Sequence, residues 1–201
     1  MGFKERLTKE WLFWDGGTGS VLQSWGLQAG ELPETWNINH PEKIVELNKG
    51  YLEAGCDIIN TNTFGANRLK YPDNLEEIVT KAVEHAKKAR ELTGRGDALI
   101  ALDLGPTGKL LEPLGDLSFD DAVDIYAEVI EYGTKAGADV ILIETMQDSY
   151  ELKAAVLAAK EHSHLPVCAT VVFDEKGKML TGGTPESVVA LLEGLHIDAL
   201  G

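Results

Sequence analysis

A chain of 201 residues, 44% hydrophobic and 25% charged, has the length and balance of one soluble globular domain, which excludes disordered and fibrous classes. Its 33 acidic residues against 18 basic ones give a formal charge of −15, the wrong sign for a phosphate-backbone binder, so nucleic acid is not an expected partner. No apolar run approaches the ~18 residues a membrane span needs, the amino terminus lacks the apolar stretch of a signal peptide, and two cysteines cannot make a disulfide framework, so the expected address is cytoplasmic.

Short β-branched apolar runs alternate with longer segments of helical period. The expected order is strand 11–15, helix 41–54, strand 57–63, helix 74–93, strand 98–104, helix 118–136, strand 139–144, helix 149–162, strand 167–173, helix 185–194, and a sixth strand beginning near Asp198. Pro41, the pair Ser118 and Asp121, and Thr184-Pro185-Glu186 read as helix starts. Gly55, Gly94 and Gly137 stand where helices should stop. Strictly alternating β and α units imply a parallel sheet with crossover helices. In such folds the active site is built at the carboxyl ends of the strands.

Three groups of residues fall at those ends. Asp15-Gly16-Gly17-Thr18-Gly19-Ser20 follows the first strand; its glycines can expose backbone N–H groups to a small anion while Asp15 accepts from an amine. A tight turn is the plainer reading. Glu144 closes the apolar run VILIE, and a carboxylate placed there needs a cationic ligand, an Arg or Lys partner, or a helix-cap role in the following turn. Together Asp15 and Glu144 can hold an ammonium, which suits an amino-acid substrate. The run Thr61-Asn62-Thr63-Phe64 offers polar ligand contacts and an aromatic wall, with ordinary turn chemistry as an equal alternative. Gly105-Pro106-Thr107-Gly108 reads as a turn, with pocket lining as the alternative. Cys56 and Cys168 fall near strand starts, on the face away from the expected site, as buried structural thiols; the five histidines need only surface roles.

The set DGGTGS, TNTFGANRLKY, LGPTGKLLEPLG, IETMQDSYELKAAVLAAKE and FDEKGKMLTGGTPES, in this order over Trp11 to Gly201, resembles the homocysteine-binding domain of the homocysteine S-methyltransferase family, in its cobalamin-dependent branch. The resemblance implies a (β/α)8 TIM barrel, of which this chain holds about five βα units and the start of strand six. It implies a methyltransferase that binds homocysteine through Asp15, Gly16 and Glu144, with Asn62 and Thr63 bordering the pocket. It further implies zinc to activate the thiol, and methylcobalamin as donor on a separate corrinoid-carrying domain.

The family's zinc cysteines follow its sixth and eighth strands, and no position of this chain matches them. The expectation is therefore a substrate-binding fragment with no catalytic residue and no metal ligand of its own, inactive alone, whose open sheet edges invite self-association. A non-catalytic partial barrel with residual amino-acid binding is the alternative. A third reading, a glycosidase using Asp15 and Glu144 as an acid/base pair, needs the two carboxyls ~5–10 Å apart and conflicts with the motif order.

Overall fold

The computed structural model describes residues 2–201. Five strands, β1 (Ile58–Asn60), β2 (Leu99–Leu104), β3 (Val140–Met146), β4 (Val167–Val171) and β5 (Ala199–Leu200), form one parallel sheet in sequential order. Sequential order with every connection parallel means that each crossover steps the same way, which is how a (β/α) barrel is wound and not how an open doubly wound sheet is. The expected strand 11–15 is reduced to a single bridge, Trp14 to Ile58, although Asp57 and Ile58 both donate backbone N–H groups to Phe13 O. It therefore still occupies the first position, beside β1, and the sheet is an incomplete barrel with open edges.

Between the strands run α4 (Pro41–Glu53), α5 (Leu75–Thr93), α6 (Phe119–Ala136), α7 (Ser149–His162) and α8 (Pro185–Gly194), within one residue of expectation at each end. Their termini explain the agreement. Ser118 accepts from Asp121 N at 3.1 Å, Thr184 forms a reciprocal capping box with Ser187, and Gly94 and Gly137 take left-handed conformations at the ends of α5 and α6. Three short helices, α1 (Phe3–Leu7), α2 (Thr18–Ser24) and α3 (Trp36–Asn39), and a 3-10 turn at Pro33–Thr35 were not expected. Among the described residues no helix is long and apolar enough to cross a membrane.

Side chains alternate along a strand, and here the alternation separates two cores. Ile59, Ile100, Leu102, Leu104, Ile141, Ile143, Val167 and Ala169 face the helices. Ile58, Leu99, Ala101, Val140, Leu142 and Cys168 face the barrel interior and pack with Trp14 and the buried Phe3 of α1. Gly133 lets α6 approach the sheet, since a Cβ there would lie 2.5 Å from the Leu102 methyl groups. Phe3 plugs the amino-terminal end of the interior. Arg6 on the same helix hydrogen-bonds to Glu10, Asp57 and the Asp97 carbonyl, and Lys4 pairs with Asp198 at 2.6 Å, so α1 spans the base of the barrel from β1 to β5.

Candidate substrate site

The same alternation decides what lies at the other end of the interior. Counting on by two from Ala101 gives Asp103, from Leu142 gives Glu144, from Cys168 gives Thr170 and from Ile58 gives Asn60. These polar groups stand at the carboxyl ends of adjacent strands, above the apolar layer, and with Asp15, Gly16, Asn62, Phe64 and Glu34 they line a cavity of about 870 Å³. That size suits a small metabolite.

Asp15 is held at the tip of the first strand position by two links to β1. Its N–H donates to Ile58 O at 3.0 Å, and its Oδ2 accepts the Asn60 N–H at 2.7 Å. Oδ1 is buried and, among the described residues, has no hydrogen-bond partner. Burial pushes the Asp15 carboxyl up to about 7, against the Asn60 hydrogen bond and with help from the Glu144 charge. The two acids therefore share one cavity. Gly16 follows in the wall; a Cβ there would meet the Tyr51 hydroxyl at 3.1 Å, and that hydroxyl donates to Gly17 O at 3.3 Å.

An irregularity of the ladder flanks Glu144. The β3–β4 register shifts between Ile143 and Met146, and Thr145 has φ +60°, a left-handed conformation that a β-branched residue adopts only under constraint. The Thr145 N–H is satisfied by Thr170 Oγ1 at 3.1 Å, which secures the bulge. Strain of this kind collects at functional sites, and here it sits next to Glu144, which strand parity directs into the cavity. Among the described residues no Arg, Lys or His nitrogen lies within 4.0 Å of the Glu144 carboxylate, so the ion-pair explanation for this acid does not hold. Burial raises its pKa, with a hydrogen bond from Asp103 acting the other way.

Asn62 lines the cavity, but its amide donates to Pro33 O and Asn37 Oδ1, so it braces the wall as much as it faces the interior. Thr63 corrects the expectation. It is fully buried outside the cavity lining, its hydroxyl donating to Asp103 O at 2.7 Å and meeting Thr61 Oγ1, because the chain turns at Asn62 and directs the next side chain under β2. Phe64 does form part of the wall and packs so closely on Gly105 that a Cβ there would overlap its ring. Gly105–Gly108 is a turn outside the lining, anchored where Glu151 accepts from the Thr107 N–H and hydroxyl.

Cys168 is a second correction. It lies on the cavity floor and not on the far face, because its parity directs it inward one layer below Thr170; burial pushes its thiol up to about 12. Two residues went unsuspected in the sequence. Asp103 is buried inside the apolar run LIALDL, and its inward parity with Leu99 and Ala101 was the available signal. Glu34 comes from the 3-10 turn Pro33–Thr35, whose sequence carried none; it accepts from Gly65 N at 2.5 Å and Tyr71 Oη at 2.8 Å.

A zinc site needs three or four donors converging on one point. Among the described residues no three His, Cys, Asp or Glu side chains do so, and Cys56 bonds to Trp14 O away from the cavity lining, so the donors present do not fit that ion.

Methionine synthases of Mycobacterium tuberculosis and Mycobacterium leprae are each 30% identical to the chain, over 93% and 98% of its length. The chain spans only 17% and 18% of those relatives. The homocysteine methyltransferase MmuM from Escherichia coli, in its metallated form, superposes with a TM-score of 0.85 at 23% identity, over 97% of this chain and 75% of that one, which establishes the shared fold. The family description that matches residues 12–201 is homocysteine S-methyltransferase, and the chain belongs to that family.

Proposed function

We propose that these residues form the homocysteine-binding part of a homocysteine S-methyltransferase, and that Asp15 and Glu144 grip the substrate's ammonium group. The observation that carries the reading is a cavity whose inner polar wall presents Asp15 and Glu144 with no basic residue paired to either. A cation entering a partly desolvated pocket with two acids gains far more than it would in water, while an anion or a neutral thiol gains nothing. Backbone groups at Gly16 and the amide of Asn62 complete the polar wall, and Phe64 shields it from water. An amino acid fixed at its charged end presents its side chain in a defined direction, which lowers the cost of bringing sulfur and methyl donor together.

The reaction named by the family moves a methyl group onto the homocysteine sulfur, from which a proton must leave. A thiol with a pKa near ~8.5 is only a small fraction thiolate at neutral pH. The family resemblance assigns that activation to zinc, and the donor set among the described residues does not fit that ion. The 201 residues thus recognise the amino acid without activating it. The methyl donor, methylcobalamin by resemblance, belongs to a separate domain.

Titration with L-homocysteine and with its analogue lacking the amino group tests the assignment. Binding of homocysteine and loss of binding by the desamino thiol acid is the expected result; equal binding of both would overturn it. A methyl-transfer assay with added zinc should give no turnover for this chain alone.

A further inference from the structure

Asp103 has no role in the reading above, and its surroundings demand one. It is 5% exposed, its backbone is pinned on both sides by Thr61 Oγ1 to its N–H at 3.2 Å and Thr63 Oγ1 to its carbonyl at 2.7 Å, and its carboxyl is directed into the cavity. No N–H or O–H donor among the described residues reaches its Oδ1. Beside it in the same cavity lining stands another acid, Glu144, which follows Leu142, the β3 residue paired with Asp103, by two places. Two carboxyl groups can hydrogen-bond only if one of them keeps a proton.

Which one keeps it follows from burial. Asp103 is enclosed while Glu144 is partly open to the cavity, and the charged form costs more in the drier position. The other groups facing Asp103 are Asp15 and Glu34, both acidic, which adds to the cost of a charge there, and Lys70 stands at the cavity wall without an ion pair to it. We propose that Asp103 is a positioning residue: as a neutral acid it donates a hydrogen bond to Glu144, holding that carboxylate ionised and turned toward the substrate's ammonium group. Burial raises both carboxyls, Asp103 the more strongly. The Asp103 carboxyl is driven well above its ordinary value, and at Glu144 the hydrogen bond from Asp103 opposes the rise that burial causes.

The inference rests on the homocysteine reading for its ligand but not for the proton. Asparagine at this position keeps a donor and cannot ionise; leucine removes the donor and keeps the volume. For Asp103→Asn the homocysteine affinity and its pH profile should stay within about 2-fold of the parent chain, while Asp103→Leu should lose roughly 10- to 100-fold, the worth of a hydrogen bond to a charged group. Unchanged thermal unfolding in Asp103→Asn serves as the folding control. Affinity lost in Asp103→Asn as severely as in Glu144→Gln, or retained in Asp103→Leu, would overturn the proposal. Infrared difference spectra at pH 8 without ligand provide the independent readout: the parent chain should show a protonated carboxyl band that Asp103→Asn removes. If the band is present and homocysteine does not bind, the substrate reading fails and the neutral Asp103 stands; if the band is absent, the proposal fails whatever the titration shows.

Discussion

The Asp15 carboxylate accepts the Asn60 N–H at 2.7 Å, so an acid from the first strand position is tied to the carboxyl end of the second. A residue outside any continuous ladder is thereby held in the cavity wall. The bond spends one oxygen on the scaffold and leaves the other, buried and unpartnered, for a ligand. Removing this anchor should loosen the loop that follows it. In Asp15→Ala, amide hydrogen exchange across 15–20 and at Asn60 should accelerate, whereas in Glu144→Ala the same amides should stay protected.

Asp15 also makes the molecule sensitive to pH. Its folded pKa of about 7 lies above the ordinary 3.8, so between those values the folded chain holds a proton that the unfolded chain has released. Stability from this group is full below pH ~4 and is lost as pH rises toward ~7. Denaturant unfolding from pH 4 to 8 should show that decline, and Asp15→Asn should flatten it. Ligand binding should run the other way: a cationic amine prefers the ionised acid, so homocysteine affinity should rise through pH 7.

Glu151 is buried without a basic partner and accepts from Thr107 N, Thr107 Oγ1 and Tyr126 Oη at 2.6–3.1 Å. Truncation strands the two Thr107 donors, while Tyr126 Oη keeps the Gly105 carbonyl at 3.2 Å. Glu151→Ala should cost about 2–4 kcal/mol in chemical denaturation, allowing 1–3 kcal/mol for each uncompensated buried group and partial relaxation. Tyr126→Phe should cost about 1 kcal/mol.

Gly133 and Leu102 mark where α6 meets β2. A methyl group at Gly133 would lie 2.5 Å from both Leu102 δ-carbons. Gly133→Ala should therefore destabilise by about 1–3 kcal/mol despite alanine's better helix propensity. Leu102→Val in the same chain should recover part of the loss, as a thermal-melt comparison of the single and double variants would reveal.

Much of this architecture was legible because strand parity and helix punctuation are local. Ser118, Thr184, Gly94 and Gly137 set the helix ends through hydrogen bonds within a few residues, so α4 to α8 could be read directly. The 11–15 segment has the composition of a strand but a neighbour on one side only, and its pairing stops at Trp14. The helices α1, α2 and α3, of five, seven and four residues, are too short to show a period. Their formation depends on contacts such as Phe3 in the barrel base. Asp15, Gly16 and Glu144 could be placed at strand tips from their neighbours alone. Thr63 and Cys168 could not, because one residue of turn or one step of parity decides which side of the sheet a group faces.

Calorimetric titration of the chain with L-homocysteine at pH 8, repeated with Glu144→Ala, bears most directly on whether these acids form an amino-acid site. Saturable one-to-one binding that Glu144→Ala abolishes, with the variant's unfolding transition intact, is the predicted result. Binding that survives the loss of Glu144, or a parent chain that folds and takes up no homocysteine, would contradict it.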